Sequence, residues 1–518
     1  MPVPNQGLKP ALKLLPLALA AMLLSAECHA QWRVAPRVDL RETYSDNLGL
    51  RSDDDPTAHG GFITEVSPTL SIIGNGPRFK LNAEAGVRTY AYSDRDTPSL
   101  RDSERRYNAT AQAVLVDQLF FVDAGASGSR QAISAFGPVS SNNYTSTNST
   151  NISTWRISPY LQHHFGARAD LTARYTRDSV SSGVNGYGDS MASTRSVDLS
   201  SGRAYTTVGG NLSYYHQDLT DGLAGESSAE NVTAGLRWSV IRRLSLTANV
   251  GYDKYEYPVL NERTQGRSWL AGFIWTPSTR TRVQASFGRR YFGKTGLLDA
   301  NYRTQRTVWS LNYNDAITTS RQQFLLPAAV DTAAMLDSLF ASAYPDAAQR
   351  QQAVQAYMAA AGLPATLRDS INYLSNRYIR VRRLQGTAIL RGQRSNLAFT
   401  LFRDQRNALS TQESDSALLL GQVISLNDDT KQRGASVNYD YRLSTRSNAY
   451  ASMSTSRVES LTTRYTNNLN ETRLGVNHRF DLRSQGSVEL RHSRGRADLY
   501  SAGTYSENAL SASLSVVF

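Results

Sequence analysis

Fourteen basic residues recur in one phase of segments that alternate apolar and polar side chains: Arg33, Arg37, Arg41, Lys80, Arg88, Arg156, Arg174, Arg237, Arg282, Arg290, Arg442, Arg473, Arg479 and Arg491. Arg33 stands between Trp32 and Val34, and Arg237 between Leu236 and Trp238. On an extended chain successive side chains point to opposite faces, so each cation turns away from its apolar neighbours. Seven acids share that phase: Asp39, Glu84, Asp123, Asp170, Asp253, Asp440 and Glu489. Cations therefore outnumber acids two to one. A confined lining with an excess of one sign concentrates solutes of the opposite sign. The chemistry on offer is anion selection; the plainer reading is a charge ladder that fills an interior.

Other chemistry finds little footing. The sequence has no Gly-x-Ser-x-Gly elbow, no His-Glu-x-x-His helix and no EF-hand loop. The six histidines past residue 30 are scattered, and His163 and His164, adjacent on a strand, must face opposite ways. Asp53-Asp54-Asp55 reads as a solvated loop rather than a cation site near lipopolysaccharide. The expectation is a protein that is not an enzyme, with no catalytic, cofactor or metal residues.

The elements that must hold the cations are strands. Trp32, Val34, Val38 and Leu40 share one parity; Arg33, Arg37, Asp39 and Arg41 share the other. The same period of two runs through residues 79–88, 155–165, 232–238, 269–275, 283–287, 435–441, 472–476 and 510–518. Segments of about 10 to 15 residues fit tilted transmembrane strands that extend past the bilayer. Short turns, such as Gly74-Asn75-Gly76, Gly166-Ala167-Arg168 and Gly392-Gln393-Arg394, alternate with long loops near 45–60, 131–150 and 407–428. Short periplasmic turns and long extracellular loops mark outer-membrane barrels; a soluble sandwich or propeller gives no reason for that asymmetry.

The ends of the chain agree. Lys9 and Lys13 precede an apolar run over residues 14–24, and Cys28-His29-Ala30 supplies small residues at the cleavage positions. Residues 1–30 therefore read as a cleaved secretory signal peptide, with the cut between Ala30 and Gln31. Cleavage lowers the net charge from +12 to +11 and removes Cys28, the only cysteine among 518 residues, so disulfides and thiolate chemistry are excluded. Export also removes nucleic acid as a partner. The final strand ends on Phe518, which resembles the signal read by the bacterial barrel-insertion machinery.

Residues 31–518 are expected to form an all-β, transmembrane, antiparallel up-and-down barrel in the outer membrane of a Gram-negative cell. Both termini of such a barrel are periplasmic, so the count is even. Twenty-two strands fit best, with 20 as the alternative if residues 193–201 are not a strand. In that count 302–313 runs downward and, after Asn314-Asp315-Ala316, residues 317–326 run upward. Pro36, Pro68 and Pro159 each remove a ladder donor and point to rims or bulges. Residues 328–375 lose the alternation and become alanine-rich, with Pro345-Asp346 as a helix start and Gly362-Leu363-Pro364 as a stop. This helical insertion in an extracellular loop is either a cap or a plug.

A barrel of 22 strands is roughly 40–45 Å across, too wide to stand open. Strands begin directly after the cleavage site, which leaves no room for the N-terminal plug of TonB-dependent transporters. Long arginines, inward loops or residues 328–375 must narrow the bore.

Glu42-Thr43-Tyr44-Ser45-Asp46-Asn47 in the first strand, followed by Val66-Ser67-Pro68-Thr69-Leu70 in the second, resembles the start of β-barrel porins associated with PEP-CTERM/exosortase systems and exopolysaccharide loci. The helical insertion is similar as well. The resemblance implies a porin-like outer-membrane channel that conducts exopolysaccharide out of the cell. Its partners would be outer-membrane lipid, lipopolysaccharide, polysaccharide and periplasmic export components. A closed structural or adhesive surface barrel and a general diffusion porin are the alternatives. Tyrosines turned into the lumen, such as Tyr160, would favour sugar transport, and interlocked Arg–carboxylate pairs would favour a closed barrel.

Overall fold

The structure is a computed structural model that describes residues 31–93, 100–137, 144, 148–182, 189–222, 225–257, 264–325, 330–331, 366–367, 378–409, 429–498 and 503–518. The strands are β1 Gln31–Ser45, β2 Gly61–Asn75, β3 Phe79–Tyr92, β4 Ser103–Val116, β5 Phe120–Ala132, β6 Ser149–Phe165, β7 Ala169–Ser182 and β8 Ser190–Ser201. Then come β9 Val208–Asp221, β10 Gly225–Ile241, β11 Leu244–Glu256, β12 Gln265–Ser278, β13 Thr281–Arg290, β14 Gly293–Arg303 and β15 Thr307–Thr319. A six-residue helix, α1, spans Ser320–Leu325, and a two-residue ladder joins β16 Val330–Asp331 to β17 Thr366–Leu367. The wall resumes with β18 Tyr378–Arg391, β19 Ser395–Ala408, β20 Thr430–Arg442, β21 Ser447–Ser460, β22 Thr466–Arg479, β23 Ser484–Ala497 and β24 Gly503–Val517.

Twenty-two of these strands form one antiparallel sheet closed by the pairing of β1 with β24, from Arg37 opposite Val517 to Ser45 opposite Ala509. Closure satisfies every edge, the condition for a sheet to lie in hydrocarbon. Alternation dictates the sides. Trp32, Val34, Val38 and Leu40 are exposed on the outer surface of β1, and the same holds for Leu236 and Trp238 of β10 and for Leu510 and Leu514 of β24. Exposed aromatics gather toward both ends of the strands: Trp32, Trp238, Trp275, Trp309 and Tyr441 at the periplasmic end, and Tyr44, Phe62, Trp269 and Phe287 at the other. An apolar belt between two aromatic girdles is the lipid-facing surface of a transmembrane barrel.

The count of 22 is borne out, and the partition into strands departs from the sequence reading over residues 293–326. The segment 193–201 belongs to a full strand, β8, so the count is 22. The downward strand before the interruption is β14 rather than 302–313, and Asn314-Asp315-Ala316 lies inside β15 instead of forming a turn. Residues 317–326, expected as a strand, finish β15 and then coil into α1. The tight connection after β13 uses Gly293 at φ 111°, a value that an L side chain resists. The prolines also differ: the ladder is interrupted at Pro68 and Pro159, but the register on either side is unchanged, so neither makes a bulge. Gly86, facing Pro68 and Thr69, leaves the space that the interruption needs. The proposed helices of 328–375 lie outside the described residues, except that β16 and β17 stand where helix was expected.

Candidate functional site

The register sets all fourteen sequence-selected cations on the lumen side. Arg33, Arg37 and Arg41 share rungs with Ile73, Thr69 and Glu65, while their chain neighbours are exposed to lipid. Arg156 lies between outward Trp155 and Ile157, and Arg473 and Arg491, opposite one another, alternate with outward Leu474 and Leu490. Lys80, Arg88, Arg174, Arg237, Arg282, Arg290, Arg442 and Arg479 follow the same rule on their strands.

Five of them are paired. Arg37 meets Asp39 at 3.0 Å, Arg88 meets Glu65 at 2.9 Å, and Arg174 meets Asp123 at 2.9 Å. Arg473 meets Glu471 at 2.9 Å, and Arg491 meets Glu507 at 2.7 Å. These pairs lie within a strand or between strands at most two apart, so they brace the wall rather than span the bore. Among the described residues the other nine make no ion pair. The Arg174 guanidinium also sits 3.9 Å over the ring of Tyr160, which stacks on Phe121 at 5.0 Å.

Among the described residues, two groups of contacts join distant parts of the wall, both at its extracellular end. Arg321, in α1, forms an ion pair with Asp178 of β7 and donates to Ser190 Oγ of β8 at 2.9 Å. β7 is eight strands from β15, whose end leads into α1, and on an undistorted circular wall those strands would stand ~40 Å apart. The extracellular end of the wall therefore leans inward. Tyr378 of β18 completes the bridge: it stacks on Tyr257 at 5.0 Å, meets Tyr255 of β11 edge-on at 6.0 Å and reaches Ser227 of β10 at 3.5 Å.

The second group comes from the segment between β5 and β6. Ala135 and Phe136 are fully buried, and Asn467 of β22 donates to the carbonyls of Ala135 and Gly137 at 2.8 and 2.9 Å. Tyr144, from the same segment, packs on Leu48, Ile63, Tyr90 and Tyr92. Burial pushes its phenol pKa up, opposed by a hydrogen bond with Thr43. The loop stretch Asp46 to Asp55 is stitched to β24, with Asp46 and Asp53 accepting from the backbone of Asn508 and Ser506 at 2.7 Å. Asp55 accepts from Thr57 and Arg51, which engages two of the three consecutive aspartates in local structure.

The periplasmic mouth is built differently. Nine of its ten short turns carry arginine: Arg78, Arg168, Arg203, Arg242 with Arg243, Arg280, Arg306, Arg394, Arg446 and Arg483. Those turns contain two acids, Asp117 and Asp481. Eight of the arginines are the last residue of their turn, where the carbonyl accepts from the neighbouring downward strand or the residue just past it at 2.7–2.8 Å. That bond fixes each one as the next rung of the ladder, one step below an outward residue and so on the lumen row. Arg306 thus lies opposite Arg391, beside the rung of outward Leu390, and Arg394 lies opposite Arg442, beside outward Tyr441. In the sequence these residues look like nothing more than turns. The missed signal was the repeated arginine immediately before an upward strand. Arg321 and Asn467 carried no signal, because their partners are distant in sequence.

Of the two terminal marks, Ala30 lies outside the described residues, while Gln31 is the first residue of β1. Phe518 is exposed, and its amide donates to the Pro36 carbonyl at 2.9 Å.

No family model and no curated protein matches the chain. Among solved structures it is similar to the apoprotein form of the FrpB iron transporter (F5-1 variant) from Neisseria meningitidis, with a TM-score of 0.50, 10% identity, and coverage of 93% of this chain and 81% of that one. It is also similar to the siderophore receptor PirA from Pseudomonas aeruginosa, with a TM-score of 0.45, 10% identity, and coverage of 94% and 80%. OccAB4 from Acinetobacter baumannii gives a TM-score of 0.33 and 9% identity, over 94% of this chain and 98% of that one. At such identities the likeness is one of fold. Together with the lipid-facing belt, it makes the chain a bacterial outer-membrane β-barrel.

Proposed function

We propose that this barrel is a gated, porin-like outer-membrane channel that conducts exopolysaccharide out of the cell. The observation that carries the gate is the Arg321–Asp178 pair, which ties the chain leaving β15 to the far wall. A general diffusion porin needs a standing bore, and a bridge between distant strands narrows one. The closed-barrel alternative loses support from ion pairs such as Arg174–Asp123, Arg473–Glu471 and Arg491–Glu507, which run along the wall rather than across the lumen. Support for a sugar cargo comes from Tyr160, Phe121 and Tyr450, aromatic rings on the lumen row, and from the resemblance of the opening strands to barrels of exopolysaccharide loci. Rings offer flat apolar faces to sugar C–H groups while hydroxyls stay hydrated.

The test is planar-bilayer conductance of the purified barrel with and without residues 320–375, a deletion that removes Arg321 and its bridge. The intact chain is expected to conduct little and the shortened one to open widely, passing neutral dextran from liposomes. Silence from both forms, with the barrel folded, would remove the channel reading and leave a surface barrel.

A further inference from the structure

We infer that the periplasmic mouth is a binding site for a linear polyanion, an acidic polysaccharide that enters the barrel from the periplasm. The inference rests on the conduit reading above and names the class of its cargo and the end by which it enters.

Eight consecutive strands, β13 to β15 and β18 to β22, each have an arginine at the foot on the lumen row. They meet as four like-charged rungs: Arg280 opposite Arg303, Arg306 opposite Arg391, Arg394 opposite Arg442, and Arg446 opposite Arg479. Like charges directly opposite in a sheet disfavour the fold, and here four such rungs fall within eight neighbouring strands. Among the described residues Arg280, Arg306, Arg394, Arg442, Arg446 and Arg479 form no ion pair, and all six are exposed. These six guanidinium groups therefore face water, open to an anion. At the strand spacing and tilt of such a barrel, the eight feet extend over about 40 Å of rim. A single small anion engages two or three guanidinium groups; an extended polymer with a carboxylate on each sugar matches the whole arc.

The lumen row also decides between partners. Phospholipid headgroups of the inner leaflet lie outside the wall, beside outward Leu390 and Tyr441, one rung away from the arginines. Two stretches of sequence that join strands at the opposite end are acidic. The sequence between β19 and β20 carries Glu413, Asp415, Asp428 and Asp429 with no basic residue, and residues 46–60 carry four aspartates against Arg51. A polyanion approaching from outside is repelled, and one in the periplasm is drawn to the mouth.

The experiment uses the full chain in nanodiscs and fluorescein-labelled polygalacturonate, with neutral dextran as the control polymer. Wild type is expected to bind polygalacturonate and not dextran, and to weaken sharply between low salt and about 0.3 M salt. The combined R280Q, R306Q, R394Q, R442Q, R446Q and R479Q variant is expected to bind at least about tenfold more weakly, since each lost charge removes one ion-release contact. The matching six-lysine variant is expected to retain binding, which separates lost charge from lost fold; heat-modifiable gel mobility checks the barrel in both. Equal binding by wild type and the glutamine variant would overturn the inference. So would absent polymer binding together with less co-purified anionic phospholipid in the glutamine variant, which would make the ring a headgroup site. Binding needs no open pore, so its failure in a conducting barrel refutes this inference alone, and silent bilayers refute the channel.

Discussion

Cutting the bridge at Arg321 should open the barrel. Its side chain is 7% exposed and that of Asp178 5%, so neither charge is well hydrated. Arg321→Ala removes the ion pair, the 2.9 Å bond to Ser190 and a 3.1 Å bond to the Asp178 carbonyl, and it strands the Asp178 carboxylate. Removing one partner of a buried pair costs about 3–5 kcal/mol, largely because the other charge stays behind. Water from the lumen can rehydrate Asp178 once α1 moves away, so the lower end applies. About 3 kcal/mol shifts the tethered-to-released equilibrium by roughly two orders of magnitude. In single-channel records at fixed voltage the variant should show long openings where wild type shows rare or none. Replacing both partners with apolar residues of similar volume, Arg321→Met with Asp178→Leu, leaves no stranded charge and should keep the barrel closed. A folded Arg321→Ala barrel whose trace matches wild type would refute the assignment of α1 as the gate.

Two further perturbations follow from the same geometry. Asn467→Ala loses two buried hydrogen bonds to the 133–148 segment, a cost of about 1–3 kcal/mol, and should make that segment sensitive to added protease in intact cells; unchanged resistance would show that packing around Phe136 holds it unaided. Asp481, in the last periplasmic turn, is held below its ordinary value by the Ser484 hydroxyl and by the backbone amides of Arg483 and Ser484. A lowered pKa means that the carboxylate stabilises the turn above pH 3.8 and that this contribution fades as the pH falls through the lower folded value. Amide protection at Arg483 and Ser484 should therefore be flat from pH 7 to pH 5 and drop in stronger acid; Asp481→Asn should abolish the pH dependence, and a drop near neutrality would contradict the assignment.

The wall was legible in the sequence because period two is a local signal: Trp32-Arg33-Val34 states which side faces lipid without reference to any other strand. Partition into strands failed only over 293–326, and the reason is non-local. Gly293 and Gly296 in β14 read as turn residues, as does Asn314-Asp315-Ala316. Asp315 is nevertheless buried in β15, gripped by both branches of Arg380 at 2.8 and 2.6 Å from the neighbouring β18, 65 residues later. No window of sequence contains both partners. The same limit hid Arg321 and Asn467. The turn arginines were hidden for another reason: a residue that looks like part of a loop is in fact the next rung, because its carbonyl is drawn into the adjacent strand.

The two ends of the lumen solve opposite problems. At the extracellular end, groups from β7, β10, β11, β18 and α1 meet, and burial there is matched by partners: Arg321 with Asp178, Tyr378 with Tyr257, Asn467 with two carbonyls. Each inward group there has only part of the bore to cross. At the periplasmic end the same wall sets arginine opposite arginine on four rungs between β13 and β22. A protein shaped only to hold a closed cylinder would distribute acids among those rungs, as it does higher up, where Glu65, Asp123 and Glu507 answer Arg88, Arg174 and Arg491. The change from matched to unmatched charge along one continuous wall marks the point where structural demand ends and recognition begins.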